Sequence, residues 1–569
     1  MRKILAQIFK RKGAKTQIFK RKGAKAQRRN EIFKDLITSN LKTFAPLRLG
    51  AFALISLLLF SCNSAPTDLR NYAPVDALVY LESNDLQKTL DEITESDSFQ
   101  RLTNGKKDFS ALKGVQLAVI ITGFETNEKQ VTDSQAILNF KPHFVAIADT
   151  HAWQFQAVSL TENQINNFVN KTYGGNVNLE KSEKNGGKFY IWKASDERKV
   201  FAFVEGSIIF FGNDEASIEK CLAARRGESE NLSKNSELQT VYNEAKKKLA
   251  FGFFSNEGIK QIADYAGVSM AIETSEDELP RNFIAKVLPQ ILSKSIKRVV
   301  WTAEKSEQGI TDNFRFETAK EISDVLEETI VSSNQNSNEL AALLPNDFQS
   351  VTRYNLENPQ IAWRSLLLSA GKQTDEQSAK ILVAFSNSFF APFGVVSGEQ
   401  FLNSTGAEII TARFDAEGEK QVAIVSIKDS ENLKKSLSPN FKKVEVQNDT
   451  QIWKTEDEDL TAAFTAHNLI LGDSESVLKC LQSRLKTPDL DGSKYFRNLF
   501  ESRAGIATYG KDDDSAHKIA ELLGIIKNKD LRTYSYYLTE TRFEGGAFMR
   551  KTTSDFGFVG IILKQFAER

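Results

Sequence analysis

The run Val200-Phe201-Ala202-Phe203-Val204-Glu205-Gly206-Ser207-Ile208-Ile209-Phe210-Phe211-Gly212-Asn213-Asp214, followed by Ser217-Ile218-Glu219-Lys220-Cys221-Leu222, decides the fold. Two β-rich runs meet at the turn signal Glu205-Gly206-Ser207, which predicts a hairpin. Gly212 ends the second strand, and Asn213-Asp214 supplies a helix N-cap. Ile218, Cys221 and Leu222 then fall at i, i+3 and i+4, one face of a helix folding back on the hairpin. Cys221 on that face reads as a small core hydrophobe.

The block recurs. Thr450-Gln451-Ile452-Trp453-Lys454 echoes Phe189-Tyr190-Ile191-Trp192-Lys193, Leu460–Ser474 echoes Val200–Asp214, and Ser476-Val477-Leu478-Lys479-Cys480-Leu481 echoes Ser217–Leu222. Trp, Gly and Cys keep their order at offsets of 261, 260 and 259 residues, so the body reads as a duplication. The openings agree as well, Ala73-Pro74-Val75-Asp76 with Leu344-Pro345-Asn346-Asp347, each leading into a strand and then an amphipathic stretch, Leu86–Ile93 or Ile361–Leu368.

Val115–Thr122, Phe144–Ala148 and Leu249–Phe254 read as strands, and Glu162–Tyr173 as a helix. Each half closes in a long hairpin, Arg298–Glu317 with Gly309 in its turn and Thr533–Gly560 with Gly545-Gly546. The expected class is α+β, two tandem homologous modules of antiparallel sheet with packed helices. The expected order is a basic repeat region and signal peptide at 1–61, a tether at 62–72, the first repeat at 73–320, a helix and linker at 321–339, and the second repeat at 340–569.

The net charge of zero sums two unlike parts. Residues 1–61 hold 15 of the 74 basic residues and only two of the 74 acidic ones, Glu31 and Asp35, which leaves a remainder at −13. An acidic body gives no basic face for nucleic acid. Three cysteines are too few for a disulfide framework. The four histidines, His143, His151, His467 and His517, have no metal-ligand spacing. Nucleophile-elbow, phosphate-loop and dinucleotide fingerprints are absent from the sequence. Asp512-Asp513-Asp514 lacks the glycine and glutamate spacing of a calcium loop and reads as a solvated turn. Lys246-Lys247-Lys248 and Lys442-Lys443 read as solvated faces. The chain is therefore expected to be non-enzymatic, with no cofactor and no metal.

The amino-terminal region gives an address. Gly50 to Ser61 is a 12-residue uncharged, mostly apolar run behind a basic flank. That is shorter than the roughly 20 residues that span a bilayer and has the length of a signal-peptide core. It ends Leu59-Phe60-Ser61-Cys62, and the composition then turns polar. This ending resembles the bacterial lipobox, with Leu at −3, a small residue at −1 and the obligatory Cys, although Phe60 departs from the commonest pattern. The whole arrangement resembles uncharacterised exported bacterial lipoproteins that carry such a module twice. The resemblance implies acylation of Cys62, cleavage before it, and stable anchoring by two or three acyl chains. It supplies no catalytic residue.

Further upstream, Gln7–Lys15 recurs unchanged as Gln17–Lys25, a perfect ten-residue period. One codon choice for Lys22–Arg29 gives a reverse complement reading Ala-Ser-Leu-Arg-Leu-Cys-Ala-Phe, which differs from Ala45–Phe52 at two of eight positions. Residues 1 to about 50 are accordingly expected to be a translated inverted repeat that a signal peptide tolerates. The expected function is a lipid-anchored cell-envelope protein that binds the membrane through Cys62 and an envelope protein partner through its body. The alternatives are a carrier for a lipid or other apolar ligand, and an enzyme without a recognised motif.

Overall fold

A computed structural model describes residues 66–567 apart from 104–107, 133–134, 275–280, 335–337, 417, 448–449, 458, 484–492 and 529. Cys62, the expected signal peptide and the basic repeats lie outside the described residues. In the first module the elements run β1 (Val79–Ser83), α1 (Leu86–Thr94), α2 (Asp97–Thr103), β2 (Gln116–Thr132), β3 (Gln135–Asp149), α3 (Gln154–Leu160), α4 (Asn166–Thr172), β4 (Val177–Lys184), β5 (Gly187–Ala194), β6 (Lys199–Glu205), β7 (Ile208–Gly212), α5 (Glu215–Arg226), α6 (Ser236–Ala245), β8 (Ala250–Phe254), α7 (Asn256–Thr274), α8 (Leu288–Ser295), β9 (Ile296–Ser306), β10 (Gly309–Thr318) and α9 (Lys320–Thr329). The second continues with α10 (Asn338–Ala341), β11 (Ser350–Asn355), α11 (Pro359–Lys372), α12 (Glu376–Ser386), α13 (Gly398–Ser404), β12 (Thr405–Arg413), β13 (Gln421–Ile427), α14 (Ser430–Ser436), β14 (Lys442–Gln447), β15 (Thr450–Lys454), β16 (Leu460–Phe464), β17 (Asn468–Asp473), α15 (Ser474–Gln482), α16 (Ser493–Glu501), β18 (Ile506–Asp512), α17 (Ser515–Leu522), β19 (Ser535–Glu544), β20 (Ala547–Ser554) and α18 (Gly557–Ala567).

The class is α+β, and the duplication is visible in the strand pairings. The first module orders its strands 4-5-6-7-3-2-1-8-9-10, all antiparallel. The second orders them 14-15-16-17-13-12-11-18-19-20. Adding ten to each strand number converts one module into the other. Trp192 and Trp453 occupy β5 and β15, and Cys221 and Cys480 occupy α5 and α15, both fully buried.

The repeated block folds through local interactions. Gly206 turns β6 into β7 with φ of 62°. Asp214 accepts a hydrogen bond from the Ser217 N–H at 2.9 Å, and Asp473 from the Ser476 N–H at 3.0 Å, caps worth about 1 kcal/mol each. Gly212 and Gly472 do more than end a strand. A Cβ on Gly212 would sit 2.4 Å from the Phe144 carbonyl oxygen, and one on Gly472 2.1 Å from that of Gln421. Only glycine lets these strands close on β3 and β13.

The modules meet by pairing β10 with β20, antiparallel, from Ile310 opposite Ser554 to Glu317 opposite Ala547. All twenty strands thereby form one sheet. The elements after the seam then cross it. From α9, Ile322 and Leu326 pack on Phe543 and Phe548 of the second module. From α18, Phe558 packs edge-on against Trp301 and Phe314 of the first. A second exchange follows the same logic. Ile519 of α17 and Leu523 just after it join the core that holds Phe99 and Leu102 of α2, while Phe283, ahead of α8, stacks on Phe385 of α12 at 4.1 Å between ring centroids. Helix 320–329, expected in the linker, is thus part of the second module's cover. Residues 67–72, expected in the tether, are packed in as well, with Leu69 and Arg70 buried.

Because each module completes the other's core, both should unfold in one transition, with fluorescence and far-ultraviolet circular dichroism superimposing along a denaturant series. Phe385→Ala, at a fully buried ring, should lower stability by about 3–5 kcal/mol without splitting that transition. Two separate transitions in the native chain would contradict the interlocking.

Candidate functional site

The described cavity is an open cleft of about 350 Å³ at one end of the seam. The first module supplies Glu92 of α1, Glu95 just after it, Asp97, Ser98 and Arg101 of α2, and the β9–β10 turn. The second supplies Tyr495 of α16, the segment entering β19, and Asp555 just after β20. Asp555 ties its floor together. One carboxylate oxygen lies 3.3 Å from the Tyr495 hydroxyl, and the other accepts from Ser98 Oγ at 3.3 Å and the Tyr536 N–H at 3.4 Å. The Tyr495 hydroxyl also donates to the Gln308 carbonyl in the β9–β10 turn. Burial, together with the Asp555 charge, pushes the Tyr495 phenol far up, so it stays a neutral donor. On the wall, Lys305 Nζ donates to Glu92 at 2.8 Å and Glu95 at 3.1 Å, bonds that raise its pKa. Arg101, Arg532 and Tyr534 complete a lining of mixed charge. This chemistry suits recognition by hydrogen bonds and ion pairs. Among the described residues, no histidine or cysteine lines the cleft.

Away from the cleft, burial strongly raises the pKa of two carboxylates, Glu82 and Asp312. Glu82 in β1 is 3% exposed and accepts from the Tyr80 hydroxyl at 2.8 Å and the Tyr242 hydroxyl at 3.2 Å. Burial pushes its pKa up to about 7 against those two hydrogen bonds. The Arg70 guanidinium lies 3.4 Å over the Tyr242 ring and pairs with Asp68 at 2.7 Å. Counting from Pro74 and Pro345, the position equivalent to Glu82 is Arg353 in β11. It is equally buried, pairing with Glu408 at 2.6 Å and donating to the Ser502 carbonyl at 2.9 Å. One position thus carries opposite charges in the two modules, so the duplication does not repeat a polar site. Asp312 in β10 accepts from Trp301 Nε1 at 2.8 Å and from the Phe558 N–H at 2.7 Å, and burial pushes it up to about 7. It holds the start of α18 against the first module.

Of the residues singled out in the sequence, Cys62 lies outside the described ones. Cys221 and Cys480 are free thiols in the core. Burial pushes Cys221 far up and Cys480 up to about 12, which leaves both unreactive. Asp512 is no solvated turn. It accepts from the Asp514 and Ser515 N–H groups at 2.8 and 2.9 Å and pairs with Lys564 of α18 at 2.8 Å. Burial alone would raise its pKa, but Lys564 and the two N–H groups outweigh it and hold the carboxyl low. Lys442 and Lys443 are exposed, as are Lys246 and Lys247, while Lys248 is half-buried beside Glu304. Among the described residues no cluster of three His, Cys, Asp or Glu could hold a metal, and no helix is long and apolar enough to cross a membrane.

Neither a family model nor a curated protein matches this chain. Among solved structures, crystal forms III, IV and I of TP0453 align with 14, 13 and 12% identity, over 41, 40 and 41% of this chain and 99, 100 and 100% of theirs. The TM-score is 0.20 in each case, too slight a likeness to support an argument.

The Glu82 carboxyl has a testable consequence. Its folded pKa is raised above the ordinary carboxylate value, so it contributes stability below about pH 4.5 that is lost as pH rises through about 7. Glu82→Gln cannot ionise. Its stability relative to the native chain should climb between pH 5 and 7.5 by up to about 1.4 kcal/mol per pH unit, read from denaturation midpoints. A pH-independent difference would show that Glu82 keeps an ordinary pKa.

Proposed function

We propose that the chain is a lipid-anchored cell-envelope protein, held by acyl chains on Cys62, whose body works by binding rather than catalysis. The lipobox-like Leu59-Phe60-Ser61-Cys62 supports the anchor. The junction cleft is the observation that carries the binding reading. Its floor joins Ser98 and Gln308 of one module to Tyr495 and Asp555 of the other, and its walls present charges of both signs. An open polar cleft suits a segment of another envelope protein better than an apolar ligand, which calls for a concave and mostly apolar site.

Metabolic labelling with an alkyne fatty acid should mark the native chain and leave Cys62→Ser unmarked; labelling that survives the substitution rejects the anchor. For the cleft, a photo-crosslinking side chain at Tyr534, which is 42% exposed, should trap one discrete partner in intact cells. The same group at Lys380, an exposed residue of α12, should not. Identical adducts at both positions, or none at Tyr534, reject the cleft as the binding site.

A further inference from the structure

Trp153 and Phe155, at the start of α3, are each 69% exposed and are the most exposed of the described large apolar side chains. Single exposed hydrophobes are ordinary on a protein surface; the surroundings of this pair set it apart. The loop that presents them is tightly held. The Asp149 carboxylate, 2% exposed, accepts from the His151 N–H at 3.0 Å, from Ser207 Oγ at 2.8 Å and from Thr67 Oγ1 at 2.8 Å. His151 takes a left-handed conformation, φ 50°, which costs a residue with a Cβ about 1 kcal/mol or more. The strained turn sits immediately before Trp153, whose indole N–H has no partner among the described residues. The Trp153 backbone N–H is satisfied by the Gln156 side chain at 3.0 Å. The aromatic pair therefore stands on a fixed platform.

The second observation is where the amino-terminal segment joins this platform. Thr67 bonds to Asp149, and it also exchanges two hydrogen bonds with Gln116. Its N–H donates to the Gln116 amide oxygen at 2.7 Å, and its carbonyl accepts from the amide nitrogen at 2.9 Å. The same amide oxygen lies 3.1 Å from His151 Nε2. One glutamine and one aspartate thus clamp both the incoming chain and the aromatic loop. Cys62 is five residues before Thr67, a span of about 18 Å at most when fully extended. Acyl chains on Cys62 would bring the Thr67 end of the body, and the Trp153 loop with it, to the bilayer surface. Tryptophan suits that boundary, since its ring is apolar while its N–H still seeks a polar partner.

We propose that Trp153 and Phe155 form a membrane-contact face that inserts into the headgroup region of the bilayer carrying the anchor; this rests on the acylation of Cys62 proposed above. The exposed apolar residues of α11 and α12, Leu368 and Val383, have no such link to the anchor.

The test uses the full acylated chain, purified from membranes and reconstituted into phosphatidylethanolamine–phosphatidylglycerol vesicles with brominated acyl chains. Bromine quenches only indoles at the bilayer. Trp192 and Trp301 are buried in the cores, and Trp363 and Trp453 are half-buried in the body. Quenching should therefore be partial in the native chain and vanish in Trp153→Phe. Mass spectrometry of the same preparation reads the acyl chains directly. Acylated protein that is unquenched, or is quenched equally in Trp153→Phe, overturns the contact face and leaves the anchor standing. Protein without acyl chains overturns both. An unquenched chain that sediments as a dimer, and as a monomer in Trp153→Ala/Phe155→Ala, also overturns the proposal and assigns the face to a second copy. The double variant alters only exposed side chains, so folding does not confound the reading.

Discussion

The pairing of β10 with β20 is the constraint on which the rest of the molecule depends. A β-strand edge presents unpaired N–H and C=O groups that template aggregation. Each module, taken alone, would end in such an edge, ten residues long in β10 and eight in β20. Because the two are counterparts, each satisfies the other in the self-complementary way of a twofold interface. Thr311 and Thr553 share a hydroxyl hydrogen bond across the seam at 3.1 Å. Joining the edges also aims the chain that follows. β10 leads into α9 over the second module, and β20 leads into α18 over the first. The two edges that remain, β4 and β14, are mostly exposed and carry Lys181 and Lys184, and Lys442 and Lys443, the residue type that discourages further pairing.

Within that frame the two copies have diverged where one could change without the other. Trp192 is fully buried, and its indole donates to Asn166 at 3.0 Å, because α3 and α4 bridge β3 to β4 over it. In the second module the corresponding bridge is the single short helix α14, and Trp453 is half-buried, with no hydrogen-bond partner for its indole nitrogen among the described residues. Glu82 and Arg353 diverged further, to opposite charges at one buried position. Each is tolerated because its own module supplies the partners, two tyrosine hydroxyls in one case and Glu408 with a backbone carbonyl in the other. A lone buried charge would cost several kcal/mol, so each residue depends on the partners its own module supplies.

The sequence showed what depends on neighbours along the chain and hid what depends on distant ones. The hairpin, glycine, cap and apolar triplet at 200–222 all act within a few residues, so their pattern survives in the letters and recurs at 460–481. The exchange of helices across the seam does not. The apolar stripe of α9 is the same whether it covers its own sheet or its neighbour's, and only the pairing of residues near 314 with residues near 550 decides. The cleft was hidden for the same reason, since Ser98 and Asp555 meet across 457 positions and neither lies in a motif. Asp512 was misread because its partner, Lys564, is 52 residues away. The close approach behind Gly212 and Gly472 was half legible: the recurrence of glycine was plain, and the carbonyl oxygen it accommodates was not.

The segment after Cys62 follows from the same buried polar chemistry. Sequence composition made 62–72 a polar tether, and polar tethers are ordinarily free to swing. From Thr67 onward this one is fastened. Asp68 pairs with Arg70, Arg70 stacks on Tyr242, and Tyr242 donates to Glu82 in the central strand β1. Leu69 is fully buried between these contacts. A pull on residue 66 is therefore borne by the core of the first module, through charged groups that lose their partners if the segment peels away.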